Sequence, residues 1–145
     1  MGHNGKGHQH DFAKLFSTPR DVADYARCSQ RFPFRNRGLW SVLDSLETAG
    51  TWLVPGCGPG LVTIETTHRF HNLRLMGVDS SEPMIEYAQN RAVVEGVEDR
   101  VDFRLGDVTD PDVLSGLSPA SGIVSTYTLH HFEDGVVAIT AMAGA

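Results

Sequence analysis

The sequence predicts an α/β fold built on a parallel sheet, and three observations carry that prediction. From Gly50 onward, short apolar runs alternate with helix-length segments, the pattern of strand–helix–strand crossovers. The first run, Thr51-Trp52-Leu53-Val54, stops at Pro55 and opens into Gly56-Cys57-Gly58-Pro59-Gly60, a glycine-rich turn leading into a helix. The second and third runs end in Gly77-Val78-Asp79 and Gly106-Asp107-Val108, so each places an aspartate at a strand end, where ligands bind in open α/β sheets.

The elements follow in order. Residues 1–17 form a His- and Gly-rich tail, its first ten residues without an apolar anchor, and are expected to be disordered; 18–49 form a helical cap and 50–145 the α/β domain. Thr18 is placed to cap a helix with Pro19 at its first position, running to about Cys28. A second helix spans Asn36 to Thr48, with Leu39, Trp40, Leu43 and Leu46 at helical spacing. After the first strand, a helix from Leu61 to His71 is weak by propensity, because Thr63, Ile64, Thr66 and Thr67 are β-branched. Leu73–Val78 is the second strand. Ser81 caps a helix from Glu82 to Glu95 with Met84, Ile85, Ala88 and Ala92 on its inner face, and Gly96 ends it. Val101–Leu105 is the third strand. A short helix over Pro111–Leu117, a fourth strand over Gly122–Thr126 and a last helix over Glu133–Ala143 complete the series.

Composition narrows the function classes. A chain of 145 residues has room for one core, and 41% hydrophobic with 21% charged residues is ordinary globular usage. A formal net charge of -6 argues against a nucleic-acid partner, which calls for a basic surface, and favours a small-molecule substrate. Cys28 and Cys57 are the only cysteines, too few for a disulfide framework. No run has the apolar length of a membrane span, and the N-terminal MGHNGKGHQHD lacks the apolar stretch of a signal peptide, so a cytoplasmic protein with no membrane partner is expected. His3, His8 and His10 have no Cys or carboxylate beside them to complete a ligand set, and no metal is expected.

The glycine turn is the most informative segment. Glycines there let a ligand press against bare backbone and expose the N–H groups at the start of the helix. A dinucleotide fingerprint requires a small residue where this chain has Leu61, with Gly60 one position early, and no Gly-Lys-Ser/Thr follows to make a phosphate-cradling loop. A nicotinamide-dependent oxidoreductase is therefore the weaker alternative, and no Tyr-x-x-x-Lys pair supports it. Asp79 is placed to accept bonds from both hydroxyls of a ribose, Met84 to lie against an adenine ring, and Asp107 to meet the adenine amino group beside a backbone N–H.

In these segments the sequence resembles the class I, Rossmann-like S-adenosylmethionine-dependent methyltransferases, their small-molecule branch in particular. The resemblance rests on LVPGCGPG at 53–60, MGVDSSEPMIEYAQNRA at 76–92, VDFRLGDVTD at 101–110 and GIVSTYTLHHFED at 122–134. It implies a three-layer sandwich with strand order 3-2-1-4, lacking the C-terminal strands of the seven-stranded family sheet. It also implies S-adenosylmethionine as cofactor, with Gly56, Gly58 and Gly60 along its methionine part, Asp79 on the ribose, Ser80 and Met84 beside the adenosine, and Asp107 with Val108 on the adenine. Thr126 and Tyr127 should face the methionine end and the substrate, with Tyr25 pointing inward from the N-terminal cap. His130 and His131 are the imidazoles available as a base if the acceptor must lose a proton.

Two positions depart from the family pattern. The acid expected two residues before the first glycine is Val54, and an acid restored there is expected to tighten the cofactor's ammonium end. The Asp expected near the start of the fourth strand is Gly122. With four strands in the order inferred, the fourth is an exposed edge, through which self-association is expected. The competing expectation is a truncated, non-catalytic cofactor-binding domain, or a fragment completed by a partner.

Overall fold

The computed structural model describes residues 15–32, 35–117 and 119–128. Four strands form one sheet in the order β3-β2-β1-β4, all neighbours parallel: β1 (Gly50–Pro55), β2 (Leu73–Asp79), β3 (Val101–Leu105) and β4 (Gly122–Ile123). The predicted strand order and fold class are those observed. The tail residues 1–14 with His3, His8 and His10, the pair His130 and His131, and the helix expected over Glu133–Ala143 lie outside the described residues.

Side chains alternate along each strand, so one sheet buries two separate cores. Trp52 and Val54 of β1, with Leu73 and Leu75 of β2, pack against Trp40 and Leu43 of α2 (Arg37–Asp44). On the same face Phe103 packs with Ile64 of α3 (Leu61–Arg69) and with Ile85, Ala88 and Ala92 of α4 (Glu82–Glu95). Leu53, Met76 and Val78 point the other way, toward Val113 of α5 (Pro111–Ser115) and the following Leu117 and Ala120. Helices on both faces make the three layers of a doubly wound sheet. The chain order reverses between β1 and β4, and a crevice opens there at the carboxyl ends of the strands.

Local signals explain most element boundaries. In α1 (Pro19–Ser29) the Thr18 hydroxyl accepts from the Asp21 N–H while the Asp21 carboxylate accepts from the Thr18 N–H, a reciprocal cap with Pro19 behind it. Gly96 ends α4 at φ 67. Beyond shifts of one or two residues, three local features differ from expectation. The second helix stops at Asp44, four residues early, where the Ser45 hydroxyl donates to the Val42 carbonyl at 2.7 Å and Leu46 turns outward. Ser81 precedes α4 and its N–H donates to the neighbouring Asp79 carboxylate, but its hydroxyl makes no capping bond. The fourth strand pairs only over Gly122–Ile123, with one further bond from the Val124 N–H to the Leu53 carbonyl.

Trp52 accounts for Gly122. The two residues face each other across β1 and β4, and the Trp52 Nε1 donates to the Ala49 carbonyl at 3.0 Å, which fixes the indole against the neighbouring strand. A Cβ on Gly122 would stand 2.6 Å from the indole ring, too close for any side chain. The acid that the family pattern puts at the head of this strand is thus excluded by a tryptophan one strand away. Gly122→Asp is expected to cost about 1–3 kcal/mol through overpacking. Urea denaturation of Gly122→Asp, Trp52→Leu and the double variant checks this. The double variant should lose less than the sum of the two, and strict additivity would dissociate the pair.

Candidate functional site

The turn after β1 is held by backbone bonds on both sides. The Cys57 N–H donates to the Val78 carbonyl at 3.1 Å, and the Gly60 N–H donates to the Cys57 carbonyl at 3.1 Å. Gly58 takes φ 54, a left-handed conformation, and open space lies where its Cβ would be. A ligand can therefore approach this backbone without obstruction. Gly60 serves packing instead: a Cβ there would meet Phe103 at 2.7 Å and Ala88 at 2.9 Å, and Gly60 does not line the cleft.

Asp79 joins this turn to the next strand end. Its Oδ2 accepts from the Gly58 N–H at 2.8 Å and its Oδ1 from the Ser81 N–H at 2.9 Å. Each carboxylate oxygen has capacity for a second donor, so a vicinal diol can still be bound. At the third strand end, Asp107 Oδ1 accepts from the Thr109 N–H at 2.8 Å and the Thr109 hydroxyl at 2.7 Å, which leaves its Oδ2 open.

These groups face one cleft of about 900 Å³, within the size range of small-molecule sites. Of the residues expected at the site from sequence, Gly56, Gly58, Asp79, Ser80, Met84, Asp107, Val108 and Thr126 all line it, as do Tyr25 and Tyr127. Met84 and Val108 are buried and give the wall an apolar patch. The Tyr25 ring packs 4.8 Å from that of Phe16, which also lines the cleft.

Several lining residues were not anticipated. Glu65 shares a face of α3 with Leu61 and Val62, and the Asn36 side-chain amide donates to its carboxylate at 3.2 Å. Helical spacing from the glycine turn could have found Glu65. Arg35, in the loop between α1 and α2, had no local signal. Its guanidinium lies 4.0 Å over the Tyr127 ring, and the Tyr127 hydroxyl donates to its carbonyl at 2.9 Å. Tyr127 has φ 60, the one described non-glycine residue at positive φ, a conformation costing on the order of 1–3 kcal/mol that these contacts hold in place.

Cys57 lies at the cleft floor, and burial, reinforced by the Asp79 carboxylate, pushes its thiol pKa well above the ordinary range. It stays a neutral, poorly nucleophilic thiol at neutral pH. Iodoacetamide at about pH 8 is expected to label the exposed Cys28 well before Cys57, as read by peptide mass spectrometry. Equal labelling rates would contradict the assigned environment.

Val54 is 3% exposed and packs with Trp40, Trp52 and Val124. Val54 also lines the cleft, so a carboxylate at this position would stand between the apolar core and the ligand space, and its tightening of the cofactor's ammonium end is a proposal. Val54→Asp is expected to destabilise the fold by about 3–5 kcal/mol at neutral pH, the cost of an uncompensated buried charge, with a loss that shrinks as the pH falls and the acid is neutralised. Thermal melts at pH 5 and pH 8 check both the size and its direction.

Among the described residues no helix is long and apolar enough to cross a membrane, and no group of His, Cys, Asp and Glu is arranged to hold a metal. Residues 53–144 match a family described as methyltransferase domain. A stretch of 74 residues, 51% of the chain, is 38% identical to the carboxy-S-adenosyl-L-methionine synthase of Nautilia profundicola, of which it covers 29%. The chain thus spans less than a third of the length of the curated relatives it matches. A methyltransferase of Geobacter sulfurreducens, solved with S-adenosyl-L-homocysteine, superposes with a TM-score of 0.61 at 25% identity, over 77% of this chain and 43% of that one. A Methanococcus maripaludis protein assigned as an S-adenosyl-L-methionine-dependent methyltransferase shares the fold, with a TM-score of 0.71 at 22% identity over 86% of this chain and 57% of that one.

Proposed function

The chain belongs to the methyltransferase-domain family, the S-adenosylmethionine-dependent class I kind, and from that premise we propose that its cleft binds S-adenosylmethionine for methyl transfer to a small-molecule acceptor. The observation carrying this reading is the delivery of three ligand groups to one cleft by successive strand ends. Gly58 backbone follows β1, the Asp79 carboxylate ends β2, and Asp107 follows β3. Asp79 accepts the ribose hydroxyls, Asp107 the adenine amino group, and Met84 and Val108 cover the adenine faces.

When bound, the cofactor's sulfonium supplies an electrophilic methyl group. What the protein must add is alignment and exclusion of water, since the displacement is in line. Thr126 and Tyr127, following β4, and Tyr25 from the helical cap border the side of the cleft where an acceptor would lie. The proposed catalytic imidazoles, His130 and His131, follow the same loop in sequence and are assigned to proton removal where the acceptor requires it.

A second reading draws on the 38% identity to the carboxy-S-adenosyl-L-methionine synthase. The ligand would then be the carboxylated cofactor, held through the same adenosine contacts. Mass spectrometry of nucleosides extracted from the purified chain separates the two.

Asp79→Ala is expected to weaken S-adenosylhomocysteine binding by about 1–3 kcal/mol, the usual cost of losing hydrogen bonds to a charged group. Titration calorimetry measures it, with circular dichroism confirming the fold. Unchanged affinity in a folded variant would remove Asp79 from the site.

A further inference from the structure

The adenosine contacts leave two charged side chains of the cleft without a task. Arg35 is the only cation among the described lining residues, and it makes no ion pair with any described carboxylate. Glu65 lines the cleft from α3, and the Asn36 amide occupies only its Oε2. Arg35 and Asn36 are neighbours in sequence, so one short loop places the cation and anchors the anion.

The position of this pair follows from the sheet. Asp107, Asp79 and Gly58 succeed one another along β3, β2 and β1, and the next strand is β4. The loop after β4 carries Tyr127, on whose ring the Arg35 guanidinium stacks at 4.0 Å. A ligand with adenine at Asp107 and ribose at Asp79 therefore extends its third part past Gly58 toward Arg35 and Glu65. In S-adenosylmethionine that third part is an α-amino acid, with one carboxylate and one ammonium two bonds apart. Arg35, the one cation of the described lining, and Glu65, tied to the same short loop through Asn36, match that zwitterion in number and sign.

We propose that Arg35 and Glu65 form a zwitterion clamp, Arg35 taking the cofactor's carboxylate and Glu65 its ammonium group. Glu65 then supplies from α3 the acid that β1 does not carry, since Val54, packed with Trp40, Trp52 and Val124, stands in its place. Arg35 suits its role by presenting a planar fork of donors that matches a carboxylate, and the Tyr127 ring holds that plane. The Tyr127 backbone conformation acquires a purpose as well: it sets the ring under the guanidinium and its hydroxyl on the Arg35 carbonyl.

The clamp rests on the reading that the cleft binds S-adenosylmethionine, and the experiment separates the two. Calorimetry is run with S-adenosylhomocysteine, which has the amino-acid end, and with methylthioadenosine, which lacks it. Arg35→Gln and Glu65→Gln should each weaken S-adenosylhomocysteine about tenfold or more, as expected for loss of a charge-assisted bond, and leave methylthioadenosine within about twofold. Arg35→Lys, which keeps the charge and loses the fork, should fall between. Equal losses for both ligands, or no loss for S-adenosylhomocysteine, overturn the clamp while the cofactor reading stands. A wild-type chain that binds neither ligand overturns both.

Discussion

The two hydrogen bonds accepted by Asp79 are the constraint on which the site depends. Through Gly58 they tie the turn after β1 to the end of β2, and through Ser81 they tie that end to the start of α4. Parallel pairing of Val54 with Gly77 and Pro55 with Val78 brings the two strand ends level, so the reach of one carboxylate suffices. Without that registry the glycine turn would have no fixed distance from the ribose position. The same carboxylate that organises the cleft is the one assigned to the ligand, so little ordering cost is left to binding.

Glycines in this chain divide their labour in a way that the residue type alone conceals. Gly58 faces open space and leaves room for a ligand, whereas Gly60 and Gly77 make room for Phe103, which packs between α3, α4 and the sheet. Gly122 makes room for Trp52. A glycine-rich motif therefore mixes positions that meet the ligand with positions that let helices approach strands, and only the neighbours of each absent Cβ tell them apart.

Sequence was most informative where a local rule sufficed. The Thr18–Pro19–Asp21 cap, the Gly96 stop and the alternating runs of β1 to β3 each follow from short-range chemistry, and these elements lie where expected. The cleft groups proposed for the adenosine were legible for the same reason, since Gly58, Asp79 and Asp107 each stand at a strand end. Those proposed for the amino-acid end were not. Arg35 reaches the cleft through a partner, Tyr127, 92 residues away, and Val54 packs against tryptophans of α2 and of its own strand. No window of sequence contains such pairings.

Both departures from the family pattern trace to the same apolar core. Trp52 and Trp40 lie on the sheet face that carries Val54, and the Trp52 indole extends across to the path of β4. The Trp52 ring leaves no room for a side chain at 122, and Trp40 and Trp52 make the core side of position 54 apolar. In the proposed clamp the charges for the methionine end come from outside the sheet, where a carboxylate keeps contact with water and is spared the desolvation cost. Glu65 on the surface of α3 and Arg35 in an exposed loop satisfy that condition. The exchange moves the charged contacts from the rigid strand to the cap and α3. The proposed clamp links cofactor binding to the position of the N-terminal cap, because Arg35 also holds the cap to the loop after β4 and Asn36 holds it to Glu65 on α3.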